Sequence, residues 1–324
     1  MRALVIVVAV LAALWSGWWA IGSRGVAAGL RAGAEEARAD GWTLAWDDLA
    51  VRGFPNRFDT TVTAPRVAPP DGAWAWTAPF VQVFALSYRP NHVIAVAPPT
   101  QKLDLGGDTV EIASEDLRAS LVVAPGPALA LREARLTGEG LSLAGFGEAV
   151  AVGGLRVAMR ATGEADDYEI ALGLANVTPP GALRARVSAD LPAEIGAVEL
   201  DAVAALDAPV DRHMAGPPGV AALELRRAEL RWGAVRITAA GTLRPDAAGR
   251  AEGEIAVTLA DPEALLDAVA PSVPPERLAF ARSFLAGFPP GPDGEGAVLT
   301  LRVSQGVVAF GPFPLVALPP FRAP

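Results

Sequence analysis

The chain opens on an apolar stretch and then changes to an alternating pattern of apolar and polar positions. Residues 3–23 include no charged side chain, and about 20 apolar helical residues are enough to cross about 30 Å of hydrocarbon. Trp15, Trp18 and Trp19 lie at the far end of the stretch, where indole rings favour the membrane–water interface. We therefore predict a transmembrane anchor over residues 1–22.

A cleaved signal peptide is the alternative interpretation of the same stretch. The apolar run is longer than the apolar core of a typical signal peptide, and Trp18-Trp19-Ala20 lacks the small residues of a cleavage site. These two features favour an uncleaved anchor. Arg2 precedes the stretch and Arg24 and Arg31 follow it, so the distribution of positive charge does not decide the orientation.

The segment after the anchor has a helical composition. It is rich in Ala, it carries Arg24, Arg31 and Arg38 at seven-residue spacing, and Gly41 is a helix stop signal. We predict a helical stalk over residues 23–41 that continues the anchor. The arginine stripe is interpreted as a solvated helix face.

From Trp42 onward the apolar period changes to two, which indicates strands with one buried face. Leu155, Val157 and Met159, for example, alternate with Arg156 and Arg160. Turn signals separate the runs about every ten residues, as expected for an antiparallel meander. The predicted strands cover 118–123, 129–136, 155–160, 168–174, 183–189, 198–206, 223–232, 235–243, 254–259 and 297–303.

Helical signals return near the C-terminus. Asp261 is a suitable N-cap, Pro262 suits the first helical position, and Pro271 ends the pattern. A second helix is predicted from Pro275 to Leu285, so a helical hairpin should close one end of the sheet or lie across it. The proline-rich tail over 311–321 is predicted to be extended, along a sheet edge or a groove.

These patterns predict a mainly β fold. We expect an elongated, curved antiparallel sheet, as an open sandwich or a groove, with an N-terminal transmembrane helix and a short C-terminal helical hairpin. Residues 42–324 form the predicted β domain, with a sub-boundary near 179–181, where Pro179-Pro180-Gly181 is a turn signal.

Composition narrows the classes of function. Hydrophobic residues make up 52% of the chain and charged residues 19%, which supports a folded core. The net charge is -9, so the chain lacks the basic footprint of a nucleic-acid binder. It has no Cys, which excludes disulfides, thiolate metal sites and cysteine nucleophiles.

Candidate chemistry is sparse. His92 and His213 are the two histidines, and the sequence has no nucleophile elbow, zincin motif or Walker loop. His92 with the nearby Tyr88, Arg89 and Asn91 is the most site-like cluster, but the same residues are typical of a turn. We predict no catalytic residue, no metal site and no cofactor, and we expect that the protein is not an enzyme.

Large aromatic side chains are the remaining candidates for a binding surface, because each buries a large apolar area. Three interpretations are open: ordinary core, a lipid-lined groove, or a protein interface. The residues that carry them are Trp42, Trp46, Phe54, Trp74, Trp76 and Trp232.

Two stretches resemble a known family. One runs from Leu44 through Gly53-Phe54-Pro55 and Trp74-Ala75-Trp76 to His92, and the other closes the chain with Pro319-Pro320. With the N-terminal anchor, they make the chain similar to the bacterial DUF2125 family over nearly its whole length. The resemblance implies an inner-membrane protein, single-pass, with its C-terminal body in the periplasm.

A more distant resemblance concerns residues 235–253 and the helix that follows. They are similar to a module of AsmA-like envelope proteins, which present long β-sheets in the periplasm and have a role in lipid movement between membranes. The resemblance implies a sheet that binds or conducts lipid or acyl chains in envelope maintenance. The alternatives are a non-catalytic scaffold that pairs its sheet edge with an envelope protein and, more remotely, an unrecognised enzyme.

Overall fold

The computed structural model describes residues 1–163, 166–214, 216–291 and 296–322. The chain divides into two compact units. The first unit contains residues 1–123 and 137–147, and the second contains residues 124–136 and 148–324.

The first unit begins with one long helix, α1, over Arg2–Ala39. It covers both the predicted anchor and the predicted stalk without a break. Asp40 caps its C-terminus, and Gly41 follows with φ of +91°. Because that left-handed conformation disfavours residues with a Cβ atom, Gly41 ends the helix as predicted.

The strands of the first unit alternate between two antiparallel ladders. One ladder has the order β2-β3-β6-β7-β10, and the other has the order β1-β4-β5-β8-β9-β11. The strands are β1 (Thr43–Ala45), β2 (Asp48–Arg52), β3 (Arg57–Thr63), β4 (Arg66–Ala68), β5 (Ala75–Thr77), β6 (Phe80–Leu86), β7 (Arg89–Val96), β8 (Thr100–Leu105), β9 (Asp108–Ala113), β10 (Asp116–Val123) and β11 (Leu131–Gly145), of which the first unit holds the second part of β11.

Prolines mark where consecutive strands bend from one ladder to the other. Pro65 follows β3, Pro79 precedes β6, and Pro98 and Pro99 separate β7 from β8. Proline has no N–H to donate, so it interrupts a ladder where it stands. Backbone bonds across the bend restore the pairing, as from the Ala64 N–H to the Pro79 carbonyl at 2.8 Å.

The second unit is an antiparallel meander with the order β12-β13-β14-β15-β16-β17-β18-β19-β20. Among the residues that the structure describes, three α-helices interrupt it, two of them between β17 and β18. The elements are β12 (Glu148–Ala161), β13 (Asp167–Val177), α2 (Gly181–Arg184), β14 (Ile195–Leu206), β15 (Val220–Trp232), β16 (Val235–Pro245), β17 (Ala251–Leu259), α3 (Pro262–Val269), α4 (Pro275–Leu285), β18 (Ala297–Ser304), β19 (Val307–Phe310) and β20 (Phe313–Ala317).

The strand predicted over 183–189 is wrong. Gly181–Arg184 is a short helix, and turns follow it. The Arg184 guanidinium donates to the backbone carbonyls of Ser188, Ala189 and Leu191 at 2.7, 3.1 and 3.3 Å. These local bonds satisfy acceptors that a strand would have paired with a neighbour, so the alternation of residue types does not become a ladder.

Register sorts the meander into an apolar and a charged face. One row across neighbouring strands pairs Val157 with Leu172, Leu172 with Leu200, and so on through Ala228, Ala239, Val257 and Leu299. The adjacent positions belong to the other face, where Gly173 lies between Arg156 and Glu199. A side-chain period of two produces this separation.

The apolar face of the second unit is covered at its two ends. At one end Leu318 and Phe321 of the tail pack on a buried cluster of Leu243, Ala251, Val303 and Val308. At the other end α3 packs against β16 and buries Leu266 and Ala268. The row from Val157 to Leu299 lies between these ends, and its members are all partly exposed.

The helical hairpin and the tail match their predictions. The Asp261 carboxylate accepts the N–H of Ala264 at 3.0 Å, as an N-cap should, and α4 has its predicted bounds. β20 pairs with β19 among the described strands and is an edge strand, and its prolines suit that position.

The fold class is confirmed. The chain is mainly β, its described strand pairs are antiparallel, and none of the three described ladders closes on its first strand. Residues 179–181 lie inside the second unit between β13 and α2. The domain division that was drawn from the sequence stays a prediction.

Candidate functional site

The helix α1 packs against the β2–β3 hairpin of the first unit. The indole N–H of Trp15 donates to the carbonyl of Pro55 at 2.7 Å, and that of Trp19 donates to the carbonyl of Arg57 at 2.7 Å. The Trp19 ring also meets the Phe54 ring edge to face, with centroids 5.5 Å apart. Two of the three predicted interfacial tryptophans therefore fix the helix to a hairpin tip.

A glycine permits the closest approach between the helix and the hairpin. A Cβ atom on Gly22 would lie 2.5 Å from the tip of the Phe58 ring, which is buried. Real Cβ contacts are longer than this, so only glycine fits while Phe58 keeps its place. Phe58 in turn lies opposite Ala85 in the ladder.

Farther along α1, a cleft of about 320 Å³ lies between the helix and the sheet. This is within the range of small-ligand pockets. Four residues of the helix form one wall, and four residues from β1 to β3 and the β1–β2 connection form the other. All eight are apolar or glycine: Gly29, Leu30, Gly33, Ala34, Leu44, Trp46, Leu49 and Val62. We call this the α1 cleft.

The glycines of the α1 cleft leave open space. A Cβ atom at Gly29 or Gly33 would have no neighbour within 4 Å. The two residues are four apart on a helix and lie on one face. They therefore provide a groove along the helix, next to side chains that offer only apolar contacts.

Four of the six predicted aromatic residues lie in or next to strands β1 and β5. Trp42 and Trp74 meet edge to face with centroids 6.0 Å apart, and the indole of Trp76 donates to the Gln101 carboxamide at 3.0 Å. Trp46 lines the α1 cleft and carries the Arg38 guanidinium 4.9 Å above its ring. Arg38 stays exposed, in keeping with the solvated stripe that the sequence predicted, while its guanidinium makes a cation–π contact with the Trp46 ring.

The other two predicted aromatics have separate environments. Phe54 is 57% exposed at the tip of the β2–β3 hairpin, between Gly53 and Pro55 of the family-like motif. Trp232 is buried in the second unit and donates its indole N–H to the Pro192 carbonyl at 2.8 Å, which is the ordinary-core interpretation. Pro319 and Pro320 keep the tail extended between Leu318 and Phe321, which both reach the buried cluster.

The predicted polar candidates lie in ordinary structural positions. His92 Nε2 is 3.0 Å from Ser120 Oγ across the β7–β10 pair, and Asn91 donates to the Val123 carbonyl at 3.0 Å. Within the ranges that the structure describes, no group of three His, Asp or Glu side chains could hold a metal ion. The absence of a catalytic set stays a prediction.

The charged face of the second unit is organised as ion pairs. The Glu169 carboxylate accepts from Arg160 at 2.5 Å and from Arg226 at 3.3 Å, and these hydrogen bonds lower the pKa of Glu169. Glu229 is 4% exposed and lies among Arg227, Arg231 and Arg236. Small residues such as Ala158 and Ala171 leave shallow depressions between these pairs.

Sequence reasoning missed the glycine face of α1 and the two indole hydrogen bonds. A signal for the glycines was present, because Gly25, Gly29 and Gly33 recur at four-residue spacing, a pattern that permits close approach along a helix. No sequence signal identifies Pro55 and Arg57 as the partners of Trp15 and Trp19.

Comparison with known proteins gave one match. The model of a family described as an uncharacterized protein conserved in bacteria, DUF2125, matches residues 19–319. No curated protein and no solved structure matched the chain significantly. The match begins inside α1 and extends through β20.

Proposed function

This chain belongs to the DUF2125 family of bacterial proteins, and from that premise we propose that it is held in the inner membrane by α1 and binds acyl chains of lipids on apolar surfaces of its periplasmic body. The observation that carries the proposal is the α1 cleft, whose walls are apolar and which begins beside the helix. The likeness to AsmA-like proteins belongs to the same proposal, as an analogy of fold.

The helix α1 has the length and composition of a membrane span. It contains 38 residues, and the side chains of Leu4, Ile6, Leu11 and Leu14 are among its exposed apolar groups. From Arg2 to Arg24 it rises about 33 Å, which matches about 30 Å of hydrocarbon. A signal peptide would have the same composition, but removal of the segment would also remove Trp15 and Trp19 from the hairpin.

Apolar surface supplies the affinity in this proposal. Each Å² of apolar surface removed from water contributes about 25 cal/mol, and the residues that line the α1 cleft offer few competing polar groups. The partly exposed row from Val157 to Leu299 in the second unit is a further surface of the same kind. Large exposed apolar areas on a protein commonly mark binding surfaces.

A cross-linking experiment on the full chain tests the proposal. The protein would be placed in vesicles that contain a phospholipid with a diazirine in its acyl chain, illuminated, digested and mapped by mass spectrometry. We expect cross-links within residues 44–49 in addition to those within residues 1–22. Gly33→Phe should remove the former because its ring fills the α1 cleft, and should keep the latter.

Gly25→Phe is the matched control, since Gly25 also has open space around a Cβ atom but does not line the cleft. It should leave both sets of cross-links in place. Wild-type cross-links confined to residues 1–22, or an equal loss in the two variants, would contradict acyl-chain binding in the cleft.

A second function is favoured by the edge strand β20. Its residues are all exposed, and Phe313, Leu315 and Val316 are 66, 58 and 54% exposed. An unpaired strand edge with apolar side chains can pair with a strand of another protein. In this alternative the protein is a non-catalytic scaffold for an envelope partner.

Cross-linking in native membranes separates the two functions. A photoreactive residue in place of Leu315 should give one stoichiometric protein adduct if β20 pairs with a partner. Lipid adducts at the α1 cleft without a protein adduct at Leu315 would favour lipid binding alone. We propose that neither role involves catalysis.

A further inference from the structure

Strand β3 runs alongside α1, so the position of a residue along the helix axis also gives the position of its contact partner on the strand. Trp15 bonds to Pro55, Trp19 bonds to Arg57, and Ala34 shares the α1 cleft with Val62. From Trp15 to Ala34 the helix rises about 28 Å, and from Pro55 to Val62 a strand advances about 23 Å. The two directions therefore nearly coincide.

This alignment places the β2–β3 tip on the bilayer side of Arg24, level with the apolar stretch of the helix. Arg24 is the first charged residue after the apolar stretch and is expected at the level of the lipid headgroups. Trp15 lies nine residues earlier, which is about 13 Å toward the bilayer at 1.5 Å per residue. Pro55, bonded to Trp15, lies at the same height, and the neighbouring Phe54 points an exposed ring from that tip.

A second turn lies beside the first. The Ser87 N–H donates to the Asn56 carbonyl at 3.0 Å, so the β6–β7 turn is next to the β2–β3 turn. Tyr88 at this turn is 64% exposed. Aromatic rings of this kind favour the membrane–water interface, since they combine an apolar body with a polar edge or neighbour.

Two cations flank the aromatic tips. Arg52 ends β2 and Arg89 begins β7, and both are exposed. Neither forms a salt bridge within the part of the chain that the structure describes, whereas the adjacent Arg57 is paired with Asp59. Unpaired arginines next to exposed aromatic rings match the charge and polarity of anionic headgroups above acyl chains.

The geometry points to a second membrane contact: the β2–β3 and β6–β7 turns enter the near leaflet of the bilayer beside α1, with Phe54 among the acyl carbons and Arg52 and Arg89 nearer the headgroups. The inference rests on the proposed span of α1 and is independent of acyl-chain binding in the α1 cleft. It implies that the first unit is held against the membrane surface at two points.

Depth-dependent quenching tests the contact. The chain has no cysteine, so single cysteines can be introduced for labelling with an environment-sensitive fluorophore. The full chain would carry the label at Leu11→Cys, Phe54→Cys, Tyr88→Cys or Phe146→Cys in vesicles of phosphatidylcholine and phosphatidylglycerol. Lipids with a spin label on the acyl chain act as the quencher.

Phe146 is the matched control. It is 64% exposed in a hairpin turn of the same unit, and the adjacent Gly145 packs on Val110, close to the β8–β9 turn. The β8–β9 turn lies at the far end of the bent β7–β8 segment from the β6–β7 turn. The two strands that separate these turns have a combined length of about 45 Å. A label at residue 146 should therefore stay in water.

We expect labels at residues 11, 54 and 88 to be quenched at least about twofold more than the label at residue 146, because the quenchers are confined to about 30 Å of hydrocarbon. Quenching at residue 11, with residues 54 and 88 behaving like residue 146, overturns the second contact and leaves the anchor in place. Absence of quenching at residue 11 overturns both. Tyr88→Cys gives an independent result if Phe54→Cys disturbs folding.

Discussion

At the scale of single residues, the contact between α1 and the hairpin depends on two tryptophans that donate hydrogen bonds and on a glycine whose missing side chain leaves space for a ring. The Trp15 and Trp19 indoles donate to the backbone carbonyls of Pro55 and Arg57. Gly22 leaves room for the Phe58 ring. Together they fix the register of the helix against β3.

Gly22→Ala should destabilise the protein although alanine favours helices. Alanine gains about 1 kcal/mol of helix propensity over glycine, but overpacking against a buried ring costs about 1–3 kcal/mol. Gly25→Ala is the control, because its Cβ meets nothing within 4 Å, and it should raise the melting temperature. Thermal unfolding of the full chain in detergent measures both. Equal shifts in the two variants would disprove the close packing at Gly22.

At the scale of elements, the α3–α4 hairpin covers part of the apolar face with an aromatic cluster. Phe284 of α4 lies 5.1 Å from Phe288 and 5.8 Å from Phe310 of β19, measured between ring centroids. Phe280 stacks on Phe284 at 5.8 Å and is otherwise 70% exposed. Phe284 is therefore the ring that joins the helix to the sheet.

Phe284→Ala should weaken the attachment of α4 by about 1–2 kcal/mol, since it removes several aromatic contacts at once. Phe280→Ala removes one contact from an exposed ring and should cost less than about 1 kcal/mol. Limited proteolysis within 275–285 reports the attachment directly. Similar cleavage rates for the two variants would contradict the assignment of Phe284 as the contact that attaches α4 to the sheet.

Elements with strong local signals were predictable, and elements that depend on distant partners were not. Asp261 followed by Pro262 specifies a helix start within a few residues, so α3 and α4 were placed correctly. The run over 183–189 has strand-like alternation, but Arg184 binds three nearby carbonyls and holds it in turns. Short alternating runs do not reveal whether a neighbouring strand is present.

At the scale of the whole molecule, each unit has an apolar face that its own helices cover only in part. In the first unit α1 covers β1 to β3 and leaves the α1 cleft. In the second unit the tail and α3 cover the two ends, while the row from Val157 to Leu299 stays partly exposed. The sequence indicated the apolar faces. Which parts of these faces the helices and the tail cover depends on how the elements pack in three dimensions, and hydrophobic periodicity does not encode this packing.

Retention of lipid by the isolated protein tests the central claim most directly. The full chain would be released from lipid nanodiscs in the mass spectrometer, and phospholipids that stay bound after the surrounding lipid is removed would be counted. The account predicts that the wild type and Gly25→Phe retain bound phospholipid and that Gly33→Phe retains less. A wild-type chain that is released bare, or the same lipid count in all three proteins, would contradict it.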